Sequence, residues 1–178
     1  MFTKEGHILA IAIPFGENII TKDAKDAIKG AKDLGAILSA VHPFYFKGIG
    51  NFLIANNNLI SQFSSWEVYN GSTEFSFPGI LPRGLNKQSL QFYESLLSEF
   101  SRELGISSAT DGHSVGVIGK CYTELSLEDN FMWRNFVGKL DRALRQVKSL
   151  YQLHMEPNRV DAGIHAVKMG LVKLQGKR

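Results

Sequence analysis

The sequence predicts an α/β domain organised around a parallel sheet. Two short apolar runs, residues 6–13 (GHILAIAI) and 36–44 (AILSAVHPF), flank an amphipathic helical stretch, which is the pattern of a βαβ unit. A third short run at 66–69 (WEVY) and a long apolar-striped helix at 86–104 continue the alternation. The 178 residues give room for one domain, and 44% hydrophobic content supplies a core that a disordered chain lacks.

Each element has a local reason. The first run is rich in Ile and closed by Pro14 and Gly16, as a buried strand would be. Thr21 is a candidate N-cap for the next helix, Asp23 suits the positive end of its dipole, and Gly35 is a candidate stop. Ala24, Ala27, Ile28, Ala31 and Leu34 share one face of it. The second strand ends at His42-Pro43. Residues 51–63 predict an irregular helix, weakened by three consecutive Asn. The third strand is closed by the turn signal Asn70-Gly71, and 72–84 is a loop with two Pro and two Gly. Leu90, Tyr93, Leu97, Phe100 and Leu104 stripe the long helix, which Gly105 ends. The segment ISSAT leads into Asp111-Gly112-His113, 115–122 predicts another strand, 132–153 a charged helix, and 159–174 a weaker helical tail.

Composition excludes several classes. One cysteine, Cys121, rules out an intramolecular disulfide and any Cys-only zinc site; this usage suits a cytoplasmic chain, with Cys121 as a small core hydrophobe. A formal charge of +3 permits an anionic substrate without marking a nucleic-acid binder. No apolar run approaches the ~20 residues of a membrane span, and the N-terminus lacks the layout of a signal peptide.

The candidate chemistry lies in the histidines. His42 follows one strand, and His113 follows another with Asp111 two residues before it; His7 opens the first. In parallel α/β barrels the C-terminal ends of strands converge, so His42, Asp111 and His113 would meet. Asp-x-His offers a hard oxygen and a neutral imidazole, a shell for zinc, manganese or iron rather than magnesium or calcium. Ordinary readings stand beside this one: a strand-ending His42, a plain Asp111-Gly112 turn, an inert His7. His154 and His165 fall in helical segments and carry no chemistry. Glu67, between Trp66 and Val68, signals either a polar barrel interior or an exposed strand face. Lys47, Arg83 and Lys120 are the nearest basic residues and could neutralise a phosphate, although a solvated loop charge is the simpler account of each.

The order of these motifs resembles the PHP family (polymerase and histidinol phosphatase), which are metal-dependent phosphoesterases. The resemblance rests on GHILAI at 6–11, AVHP at 40–43, WEVYN at 66–70 and TDGH at 110–113, and on VDAGIHAVKMGLVK at 160–173, which is similar to the family's closing helix and strand. It implies a distorted (β/α)7 TIM-like barrel with a cluster of one to three zinc, manganese or iron ions. His7, His42, Asp111 and His113 would be the ligands, Glu67 would match a non-ligand position, and a small phosphorylated substrate would be hydrolysed by a metal-bound hydroxide.

Family members also carry a His-x-His pair, a following Asp and His, and a bridging Glu, none of which has a counterpart here. The expectation is therefore a single PHP-like domain over residues 1–178, equal to the C-terminal two-thirds of a barrel and lacking its first strands. Four ligands would suffice for one metal. An open sheet edge would invite homo-oligomerisation. Two functions compete: a hydrolase, or a catalytically impaired remnant acting as a binding or scaffold module. Some family members are attached to DNA polymerases, so nucleic acid is a third possibility, with little help from the charge.

Overall fold

The computed structural model describes residues 1–45, 47–73, 84–100, 104–111, 118–127 and 135–155. Residues 115–117 of the strand expected at 115–122, 74–83 of the loop expected at 72–84, 132–134 of the helix expected at 132–153 and the whole tail at 159–174 lie outside them, as do Arg83, His113 and His165.

The chain starts by folding back on itself. The Met1 amino group donates to the Ile8 carbonyl (2.6 Å) and Ile8 N–H returns the bond to Met1 (3.0 Å), which sets Phe2 opposite His7. Strand β1 (Leu9–Ile11) follows, then helix α1 (Ala24–Asp33), capped by Asp23, whose carboxylate accepts from the N–H groups of Lys25 and Asp26. Thr21, the expected cap, instead supports Asp23 by accepting its N–H (3.2 Å). Gly35, at φ 74, ends the turn as expected. Strand β2 (Ile37–Ala40) is buried throughout.

The irregular helix at 51–63 is two pieces. Helix α2 (Gly50–Ala55) breaks at Asn56, and a 3₁₀ turn (Asn57–Gln62) continues it. Strand β3 (Ser65–Asn70) and helix α3 (Leu85–Phe100) come next, then β4 (Gly105–Ala109), β5 (Cys121–Thr123), α4 (Phe136–Gln146), a 3₁₀ turn (Leu150–Gln152) and β6 (Leu153–Met155). Gly105 opens a strand rather than ending a helix, and His154 lies on a strand rather than in the expected helix, paired with Tyr122.

The barrel expectation is overturned. Four strands form one open sheet in the order β1-β2-β3-β4, and β5 and β6 form a separate antiparallel pair. Strands β2, β3 and β4 run parallel, but β1 enters antiparallel to β2. Closing a (β/α) barrel needs parallel strands with a continuous stagger all the way round. Here the three-residue β1 runs the wrong way. Among the described residues the ladder stops at β4, and β5 is held by side chains: Ser108 N–H donates to Thr123 Oγ1 (2.9 Å), and Thr110 Oγ1 is bonded to both the N–H and the carbonyl of Cys121 (3.0 Å each). No barrel is formed among the described residues.

The core lies where the helices cover the central strands. Trp66 is fully buried and packs against Phe92 of α3, with ring centroids 5.1 Å apart, while Trp66 Nε1–H donates to Ser89 Oγ (2.8 Å). Ile8, Ile28, Leu38, Ile49, Leu53 and Ile106 join the same cluster. Cys121 is buried, as its composition argument expected.

Candidate functional site

Because β2, β3 and β4 are parallel, their carboxyl ends share one edge of the sheet, the position where open α/β sheets place ligands. His42 follows β2 by two residues, Asn70 ends β3, and Asp111 follows β4 by two.

His7 is brought there by glycines. Its N–H donates to the Lys47 carbonyl (2.8 Å) and it bridges Gly48 in parallel. A Cβ on Gly6 would sit 2.6 Å from backbone atoms of Gly48 and Ile49, and one on Gly48 would overlap the carbonyl oxygens of His42 and Pro43. Only bare backbones permit this approach.

His42 occupies a left-handed conformation, φ 32, which a residue before proline rarely adopts. Lys47 (φ 65) and Asp111 (φ 47) do the same, so three of the four non-glycine residues with positive φ among the described residues border this edge. Such conformations cost about 1–3 kcal/mol each and collect at functional sites.

The rings of His7 and His42 meet at 77°, with His7 Nδ1 3.3 Å from His42 Nε2. Tyr45 stands edge-on to His42 with centroids 6.0 Å apart. Glu67 is 2% exposed, which rejects the exposed strand face, and it is buried at an open sheet rather than inside a barrel. Its Oε2 accepts the backbone N–H of His42 and Asn70 Nδ2–H (3.2 Å). The ladder shifts register between Glu67 and Tyr69, and such a bulge re-aims the strand end. Asn70 Nδ2 is also 3.4 Å from Asp111 Oδ2, while its Oδ1 accepts from Ser72 N–H (3.0 Å) and Thr73 N–H (3.2 Å).

Burial, then the neighbouring His42 and Lys47 charges, lowers the pKa of His7; burial lowers that of His42, partly offset by Asp111. Both shifts favour the neutral imidazole, the form that keeps a lone pair. Burial pushes the Glu67 carboxyl up to about 8, against the bonds from His42 and Asn70. Burial and the Asp111 charge also raise Tyr45.

The donor set can be tested against a cation. Two nitrogens on a tetrahedral zinc at about 2.0–2.1 Å stand roughly 3.3 Å apart. The His7–His42 separation matches that edge, and it also matches a hydrogen bond in which one ring donates to the other. His42 Nδ1 is buried with no hydrogen-bond partner among the described residues. Among the described residues no group of three His, Cys, Asp or Glu is placed to hold a metal.

No family model, curated protein or solved structure matches the chain. The site is therefore read from its own geometry. His7 and His42 are brought together, Asp111 is tied to the same edge through Asn70, and His113 is outside the described residues. Lys47 is exposed on the turn that carries His42, with its charge acting on His7. Lys120 precedes Cys121, whose backbone is held by Thr110 beside Asp111. A small cleft of about 10 Å³ is lined by His42, Tyr45, Glu67, Asn70, Thr73 and other residues. Sequence reasoning missed Tyr45 and Asn70, and it noticed Glu67 only as an odd strand carboxylate. No helix among the described residues is long and apolar enough to cross a membrane.

Proposed function

We propose that this edge of the sheet is a divalent-metal centre of a phosphoesterase, with His7, His42, Asp111 and His113 as its ligands. The observation that supports it most is the approach of two neutral imidazoles to 3.3 Å from positions 35 residues apart. A zinc, manganese or iron ion there supplies Lewis-acid polarisation of a phosphate oxygen and a more acidic bound water. The chain's own contribution is to hold both rings neutral by burial, to fix His42 from behind through Glu67, and to set a positive Lys47 beside the centre. The resemblance of the ordered motifs to the PHP family supports the same reading, on an open sheet rather than a barrel.

The test is metal analysis of the purified chain, followed by hydrolysis of para-nitrophenyl phosphate with added manganese or zinc. Bound metal and hydrolysis that both fall in His42→Ala, Asp111→Ala and His113→Ala are expected. Absence of metal, with hydrolysis indifferent to His42→Ala and His113→Ala, would overturn the reading. A second reading, a metal-holding or scaffold module without turnover, is favoured by the lack of a three-ligand group among the described residues. Stoichiometric metal without hydrolysis would select it.

A further inference from the structure

We infer that Glu67 is the positioning residue of this site: its buried carboxyl, by accepting the backbone N–H of His42 and the amide N–H of Asn70, holds the left-handed turn that aims the His42 ring at His7. The inference rests on the reading of His7 and His42 as a working pair.

Beyond Ala40 the β2–β3 ladder ends, since its last paired residues are Ala40 and Trp66. The His42 N–H therefore needs another acceptor, and its φ of 32 turns it away from regular strand geometry. Glu67, 25 residues along the chain and 2% exposed, supplies one. Alternation places its side chain on the face opposite Trp66, in the cleft that it lines with His42, Asn70 and Asn86. The carboxyl thus fills a structural gap with a group that burial makes costly. A hydrophobic residue would pack there at less cost and leave the N–H unpaired. The same oxygen holds Asn70, whose amide also reaches Asp111, so one carboxyl joins the ends of all three parallel strands. Glu67 acts on the pair of rings through the His42 backbone.

The test uses the whole chain and three variants. Glu67→Gln keeps an acceptor oxygen, Glu67→Leu keeps the volume without one, and Glu67→Ala removes both. The first readout needs no metal: imidazole 15N shifts and the tautomer of His7 and His42 by NMR. Coupled rings in the wild type and Glu67→Gln, and uncoupled rings in Glu67→Leu with a native-like amide spectrum, are expected. The second readout is zinc affinity by competition with a chromophoric chelator. It should fall about 10–100-fold in Glu67→Leu and recover in Glu67→Gln, the usual scale for a group that orients a ligand. Ring coupling and zinc affinity unchanged in a folded Glu67→Leu would overturn the inference. If the rings are coupled and respond to Glu67→Leu but no variant or wild type binds zinc, positioning stands and the metal reading fails.

Discussion

His7 Nδ1 and His42 Nε2 face each other at 3.3 Å, and the contact depends on a second approach, that of Gly6 to Gly48. The backbones must touch before the rings can. Mutating either ring should therefore separate metal binding from folding. His7→Ala and His42→Ala are each expected to lose at least the ~100-fold in zinc affinity that a merely supporting group can cost. His7→Ala should change stability by no more than about 1 kcal/mol, because its ring is partly exposed and mainly edges Phe2. Isothermal titration with zinc and urea denaturation measure the two effects. Zinc affinity unchanged in both variants would count against the pair as ligands.

Glycine at 48 is required by space. An alanine Cβ would overlap the carbonyl oxygens of His42 and Pro43, which are rigid backbone. Gly48→Ala should cost more than about 2 kcal/mol, or displace the turn and part the two rings. Gly138 is the control: it lies inside α4 with nothing near its missing Cβ, so Gly138→Ala should stabilise by about 0.5–1 kcal/mol. Equal effects at the two positions would show that crowding at the site is not the constraint.

Glu67 should make stability fall as pH rises. Its folded pKa of about 8 lies above the ordinary 4.5, so between these values the folded state holds more protons than the unfolded one. Stability from this group is then present at low pH and lost toward pH 8, with a slope approaching about 1.4 kcal/mol per pH unit. His7, His42 and the Met1 amino group act the other way, since lowered values make stability rise with pH. They are common to wild type and Glu67→Gln, and the difference between the two curves isolates Glu67. Glu67→Gln should gain on the wild type steadily from pH 5 to 8 in urea denaturation. A constant difference across that range would contradict a buried, protonated carboxyl.

Local chemistry was readable wherever a residue type has one structural meaning. Gly35 ends α1 and Asn70-Gly71 ends β3 because a left-handed stop and a tight turn leave few alternatives. The sheet was not readable, because the apolar run at 6–13 carries no mark of direction. Its antiparallel pairing with β2 comes from the Met1–Ile8 fold-back and the Gly6–Gly48 approach, both tertiary. Leu153 and His154 read as helical because charges alternate before them, and the three residues of β6 are too few for period-two patterning to show. Placing His42 and Asp111 at one edge of the sheet needed only parallel strands, which βαβ spacing does imply. Asn70 as the link between them needed a bulge, and nothing in WEVYN announces one.

The route from core to site passes through Trp66 and Ser89. Trp66 Nε1–H donates to Ser89 Oγ (2.8 Å), and Ser89 Oγ–H donates to the Glu67 carbonyl (2.6 Å), so α3 grips β3 at the residue that holds His42. Ser89→Ala leaves a buried indole N–H unpaired and should cost about 1–3 kcal/mol. Trp66→Phe removes that donor and opens a cavity in the core. Once the donor is gone, losing the hydroxyl matters less, so the double variant should be more stable than the sum of single losses requires, by about 0.5–3 kcal/mol. Urea denaturation of all four proteins closes the cycle. Additivity within about 0.3 kcal/mol would mean that the hydroxyl and the indole are not coupled.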